Sequence, residues 1–166
     1  MNSPASAEAL AEIESLLGEA GKAFGQLYSL HNGMVLYRDL KSDAAGMQFY
    51  PVEEWPTRSE AMREEMGWLE DSMPAWLGEG IAFGEIPQSA NFFVVGVGKE
   101  AGKIYYADHD DFRESPVAED LAELLDKIRT DPAAFLYERG CYTRYSDGKT
   151  DTQWIPKEYV SGVVGA

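Results

Sequence analysis

The sequence predicts an α+β fold: a central antiparallel or mixed sheet of about five to six strands, flanked by N-terminal and C-terminal helices. Three observations carry that expectation. Gly80 to Asp111 holds three short apolar runs, Ile81 to Ile86, Phe92 to Val97 and Ile104 to Ala107, separated by Pro, Asn, Gly and Lys. Runs so rich in Ile, Val, Phe and Tyr read as strands joined by turns. Within them Phe92, Phe93, Val94 and Val95 show no polar alternation, which suits a strand covered on both faces. Segments of helical period lie before and after these runs and can supply the cover.

In chain order, Ala7 to Leu17 places Leu10, Ile13, Leu16 and Leu17 at helical spacing behind Ser6, with Gly18 following; Ser is a good N-cap and Gly a good stop. Lys22 to Leu30 presents Phe24, Leu27 and Tyr28 on one face, and His31-Asn32-Gly33 ends it. Met34 to Tyr37 and Met47 to Tyr50 read as two more strands around the polar turn from Lys41 to Gly46. From Pro51 to Leu77 the chain carries Trp55, Trp68 and Trp76, read as core anchors, and Met62, Met66 and Leu69 fall on one helical face. Pro74 ends that helix. After the sheet, Ser115-Pro116 reads as a cap with proline at the first helical position, opening a helix whose stripe is Val117, Leu121, Leu124, Leu125 and Ile128. Asp131-Pro132 repeats the signal for a short helix ending before Gly140, and Trp154 and Tyr159 are expected to anchor an irregular tail.

At 166 residues the chain suits a single domain spanning 1–166, which at that size hides roughly 70% of its unfolded surface. A lone Cys141 cannot form an internal disulfide and fits a reducing compartment. The N-terminus has no basic region ahead of its apolar residues, and no stretch approaches the ~18 apolar residues of a membrane span. The chain therefore reads as soluble and cytoplasmic.

The formal charge is −15, and it is unevenly placed. Between Val52 and Ile86 the acids are Glu53, Glu54, Glu60, Glu64, Glu65, Glu70, Asp71, Glu79 and Glu85, against Arg58 and Arg63. Between Ile104 and Asp126 they are Asp108, Asp110, Asp111, Glu114, Glu119, Asp120, Glu123 and Asp126, against Arg113 alone. Such a field repels phosphate backbones and anionic lipid and attracts basic partners. A direct nucleic-acid or membrane role is thereby disfavoured.

Catalytic chemistry finds little support. His31 and His109 are the two histidines, and neither sits in a local signature for nucleophilic catalysis. Asp108 to Asp111 could in principle hold a divalent cation. Adjacent strand residues point to opposite faces, however, which leaves Asp108 with Asp110 as the feasible pair and a solvated strand end as the simpler reading. Gly96-Val97-Gly98 and Gly102-Lys103 lack phosphate-loop spacing and precede a strand, so they read as a turn. Cys141, near Arg139 and Arg144, reads as a structural thiol. No catalytic residue, metal or cofactor is expected.

The order of elements resembles the SUKH superfamily, which takes in cell-wall assembly regulator-like and bacterial immunity proteins. The resemblance rests on GKAFGQLYSLHNG, GMQFYPVEEW, IAFGE, GKIYYADHDD and SPVAEDLAELLDKI in that order, covering about residues 8 to 130. Within these, His31-Asn32-Gly33, Glu53-Glu54-Trp55, Ala82-Phe83-Gly84 and Asp108-His109-Asp110 match the family's short motifs. Ala20-Gly21 replaces its usual Leu-Pro, Gln88-Ser89-Ala90 replaces a loop with an acid and a glycine, and the tail after Gly140 lies outside it. The resemblance implies a non-catalytic α+β domain serving as an immunity protein against a toxin, often a nuclease. The acidic charge independently suits a basic toxin domain as partner. Expected contacts are Glu53, Glu54, Trp55, Asp108, Asp110, Asp111 and Glu114. The alternatives are an acidic module regulating a host protein and a small-ligand or metal-binding domain.

Overall fold

The computed structural model describes residues 2–38, 45–87, 89–110 and 113–137. Its elements are α1 (Ala7–Leu17), α2 (Gly21–Tyr28), β1 (Met34–Arg38), β2 (Ala45–Phe49), α3 (Trp55–Glu65), α4 (Ala75–Gly78), β3 (Ile81–Ile86), β4 (Asn91–Val95), β5 (Ile104–Ala107), α5 (Leu121–Thr130) and α6 (Pro132–Tyr137). The five strands form one antiparallel sheet in the order β1-β2-β3-β4-β5. This is the α+β architecture the sequence predicts. Among the described residues no helix is long and apolar enough to cross a membrane. The expected anchors Trp154 and Tyr159, Cys141, Asp111 and most of the 41–46 turn lie outside the described residues.

All five residues of β4 are buried, because the two faces of the sheet carry different covers. On one face Tyr105 of β5 stacks on Trp76 of α4, with ring centroids 4.4 Å apart and planes 4° from parallel. On the other, Tyr106 meets Phe93 at 5.0 Å, and Phe93 in turn stacks on Phe135 of α6 at 6.0 Å. Phe83 extends that cluster to Phe24 of α2 at 5.1 Å, and Phe24 meets Trp55 edge-on at 5.9 Å. Alternating side-chain direction along β5 thus joins both layers to one core.

Beyond Phe49, β2 leaves the sheet and α3 takes its place beside β3. Tyr50 N–H still donates to the Phe83 carbonyl at 2.8 Å, after which the Ser59 hydroxyl of α3 accepts from Ala82 N–H at 2.9 Å. A helix side chain therefore supplies the ladder bond that a strand would have made. Gly33 opens the way to β1 with φ +83°, and a Cβ there would lie 2.7 Å from Pro51 N. Only glycine meets both demands.

Several boundaries differ from the sequence expectation. Ser6 does cap α1, its hydroxyl accepting from Ala9 N–H at 3.1 Å. Ser115-Pro116 does not open a helix: Val117 N–H donates to Ile104 O at 2.7 Å, and Ile104 N–H to Ala118 O at 2.8 Å, so this segment flanks β5. The helix begins five residues later, where Asp120 accepts from Glu123 N–H at 2.8 Å. The expected Met62-Met66-Leu69 face is also divided, since α3 ends at Glu65 and Gly67–Ser72 forms a tighter 3-10 segment with Glu70 at φ 46°. Trp55 and Trp76 are buried anchors, whereas Trp68, in that tighter segment, is 57% exposed.

Candidate functional site

The acids expected as partner contacts fall into two separate groups. Successive strands run in opposite directions, so β2 and β5, three places apart in the sheet, point opposite ways. Glu53 and Glu54 follow the C-terminal end of β2, and Asp108 and Asp110 follow that of β5. The two groups leave the sheet at opposite ends. Glu53, Asp110 and Glu114 are exposed, Glu54 and Asp108 are partly so, and Asp111 is outside the described residues. Trp55, grouped with them from sequence, is 1% exposed. Its indole N–H donates to the Tyr50 carbonyl at 3.3 Å, so it belongs to the core under this surface rather than to the surface itself.

At the β5 end, β5 stops at Ala107, and strand alternation no longer governs Asp108, His109 and Asp110. Ligand atoms of all three lie within 4.8 Å of one another, which corrects the expectation that only alternate residues converge. A turn makes this possible: Asp110 N–H donates to Asp108 Oδ1 at 3.0 Å. The buried Asn91 holds the middle residue, its Oδ1 accepting from His109 N–H at 3.1 Å and pairing with His109 Nδ1 at 2.7 Å. An amide oxygen can only accept, so Nδ1 donates to it, and Nε2 lies 3.3 Å from Asp110 Oδ1. No fourth His, Cys, Asp or Glu of the described residues joins the three. Three vicinal groups on one turn make an incomplete shell for a divalent cation.

At the β2 end the acids sit in a connected set of side chains. Asn32 accepts from Val52 N–H at 3.0 Å and donates to Glu53 at 2.8 Å. Arg58, one turn into α3, donates through Nε and Nη2 to a single oxygen of Glu54 at 3.0 and 2.8 Å. Its guanidinium also lies 4.5 Å over the Tyr50 ring, a cation–π placement. Burial, and next the charge of Glu85, raise the Tyr50 phenol well above its ordinary value. Glu85 stands on β3 opposite Gln48 of β2 and Phe92 of β4.

Sequence reading missed Asn91, Arg58, Tyr50 and Glu85 as parts of these sites. A polar Asn directly before Phe92-Phe93-Val94-Val95, and a lone Glu inside the run from Ile81 to Ile86, were the available signals. A model of the SMI1/KNR4 family (SUKH-1) matches residues 4–127. No curated protein matches the sequence.

Proposed function

We propose, since the chain belongs to the SMI1/KNR4 family (SUKH-1), that it is a cytoplasmic, non-enzymatic immunity protein that binds and neutralises a basic toxin domain such as a nuclease. The observation that carries this reading is the exposed acidic surface. Glu53, Glu60, Glu64, Glu65, Glu70, Asp71 and Glu79 of one acidic segment, and Asp110, Glu114, Glu119, Asp120, Glu123 and Asp126 of the other, are all exposed. A nuclease groove presents the opposite charge to hold phosphate, and an acidic protein competes for it by the same Coulomb attraction. Glu53, Glu54, Asp108, Asp110, Asp111 and Glu114 remain the proposed contacts. Their division between two sheet ends means that one group docks while the other steers.

Neutralisation by occupancy has a distinct signature. Titrated into the toxin encoded beside its gene, the protein should abolish activity at one equivalent, and stopped-flow association should slow as salt shortens the Debye length from about 10 Å at 0.1 M to about 3 Å at 1 M. Inactivation of many toxin molecules per molecule of this protein would mean turnover and would overturn the reading. An on-rate indifferent to salt would remove the electrostatic argument. A locus without a toxin gene would favour the acidic module that regulates a host protein.

A further inference from the structure

Among the described residues Trp55 and Trp76 are buried, while Trp68 keeps 57% of its surface exposed. The local chain path accounts for that direction. Met66 N–H donates to Met62 O and Leu69 N–H to Met66 O, each at 3.0 Å, so the backbone stays helical from α3 into the tighter segment that follows. Met62 and Met66 are buried and Leu69 packs against the core, and this stripe fills the inward side. Trp68 follows Glu64 and Glu65 by four and three residues, the spacings that share a helix face, and all three side chains are exposed. The backbone then turns at Glu70, a non-glycine residue at φ 46° and ψ −124°. Strain of that kind costs on the order of 1–3 kcal/mol and gathers at binding sites. Glu60, Glu64, Glu65, Glu70 and Asp71 are all exposed, and Arg63, the single cation among them, has its guanidinium committed to Ser59 O at 3.1 Å.

We propose that Trp68, with Glu64 and Glu65 beside it, is the docking point for an arginine-bearing basic segment of a partner protein. Charge complementarity names the occupant: an aromatic ring set among carboxylates repels acidic and phosphate-bearing surfaces and attracts a cation. Arginine suits it better than lysine. A guanidinium is planar and weakly hydrated, so it lies flat on the indole face while its N–H groups reach a carboxylate. Tryptophan and arginine are both enriched at the energetic centres of interfaces. The acids supply attraction at a distance, and the ring supplies the contact. The surface rests on the binding role proposed above and adds to it the residue on which the partner seats.

Its test uses labelled octa-arginine and octa-lysine peptides, titrated by fluorescence anisotropy at about 150 mM NaCl, where charges more than about 8 Å apart are screened. The wild type should bind octa-arginine severalfold more tightly than octa-lysine. Trp68→Ala, which changes no charge, should weaken octa-arginine binding about tenfold, the scale of a stacked cation–π pair, and erase that preference without lowering the melting temperature. Trp68→Phe should retain part of the preference, and Glu12→Gln, at an exposed position on α1, should leave both affinities unchanged. Equal affinity for the two peptides, or wild-type affinity in Trp68→Ala, would show that net charge alone binds them and would overturn the docking point. A lowered melting temperature in Trp68→Ala would place the ring in the chain's own packing, and a wild-type dimer that Trp68→Ala dissociates would give the ring to a second copy; each overturns it as well. A failed toxin titration beside an intact arginine preference would discard the toxin and keep the surface. A toxin that binds wild type and Trp68→Ala with equal affinity would discard the surface and keep the toxin.

Discussion

Tyr28 and Tyr50 are both fully buried, but their hydroxyls do different things. That of Tyr28 donates to Tyr50 O at 2.9 Å, while that of Tyr50 has no partner among the described residues. Tyr28→Phe should therefore lose about 1 kcal/mol, the net worth of a buried hydrogen bond, whereas Tyr50→Phe should stay within about 0.5 kcal/mol of wild type. Urea unfolding of the two variants side by side checks this, and equal losses would show that the Tyr28 hydrogen bond adds no stability of its own. Aromatic residues of this kind are legible as core from sequence, because a large apolar ring has few other places to go. Their polar atoms are not. Whether a hydroxyl finds an acceptor depends on ångström-scale placement that residue type does not encode, which is why Tyr50 and Glu85 escaped notice while the more numerous exposed acids did not.

The strands were readable from their apolar runs, and α1 from Ser6, since local chemistry decides both. What failed was local chemistry overruled by a distant partner. Ser115-Pro116 has the credentials of a helix start, but Ile104 offers free backbone groups at the rim of β5, and pairing Val117 and Ala118 with them satisfies both segments. The converse exchange occurs at β3, where α3 lends a side chain to the sheet. Ser59 is 3% exposed, accepts from Ala82 N–H and donates to Trp55 O at 2.7 Å. Ser59→Ala should cost about 1–3 kcal/mol, because it strands a buried N–H that no water can reach. Hydrogen exchange should report this locally, with Ala82 losing more protection than Val94 on the neighbouring strand. Unchanged protection at Ala82 would mean that β3 is held by its pairing with β4 alone. The acids mislead for a related reason: the sequence counts carboxylates, but strand direction decides which end of the sheet receives them.

At the scale of the whole molecule, buried tyrosines set an alkaline limit. Burial first, and then the hydrogen bond to Glu100 and that residue's charge, push the Tyr105 phenol up to about 12; burial likewise raises Tyr28 and Tyr50. An unfolded tyrosine ionises near pH 10, so above that the unfolded chain releases protons which the native state retains. The contribution is thus complete below about pH 10 and is lost as pH rises through about 12. Melting temperature should fall across that window in step with tyrosinate absorbance, and Tyr105→Phe should blunt the fall; a flat profile would show that these phenols ionise without unfolding. The order of the strands has a consequence of another kind. Each strand pairs with the one made just before it, so every strand emerges to find its partner already synthesised. Three of the four pairings close short hairpins, whereas β2 and β3 meet across 37 residues at Gln48 and Glu85, so that closure carries the largest entropic cost of the sheet. The sheet can form strand by strand as the chain leaves the ribosome, with the β2–β3 closure as the step that waits longest.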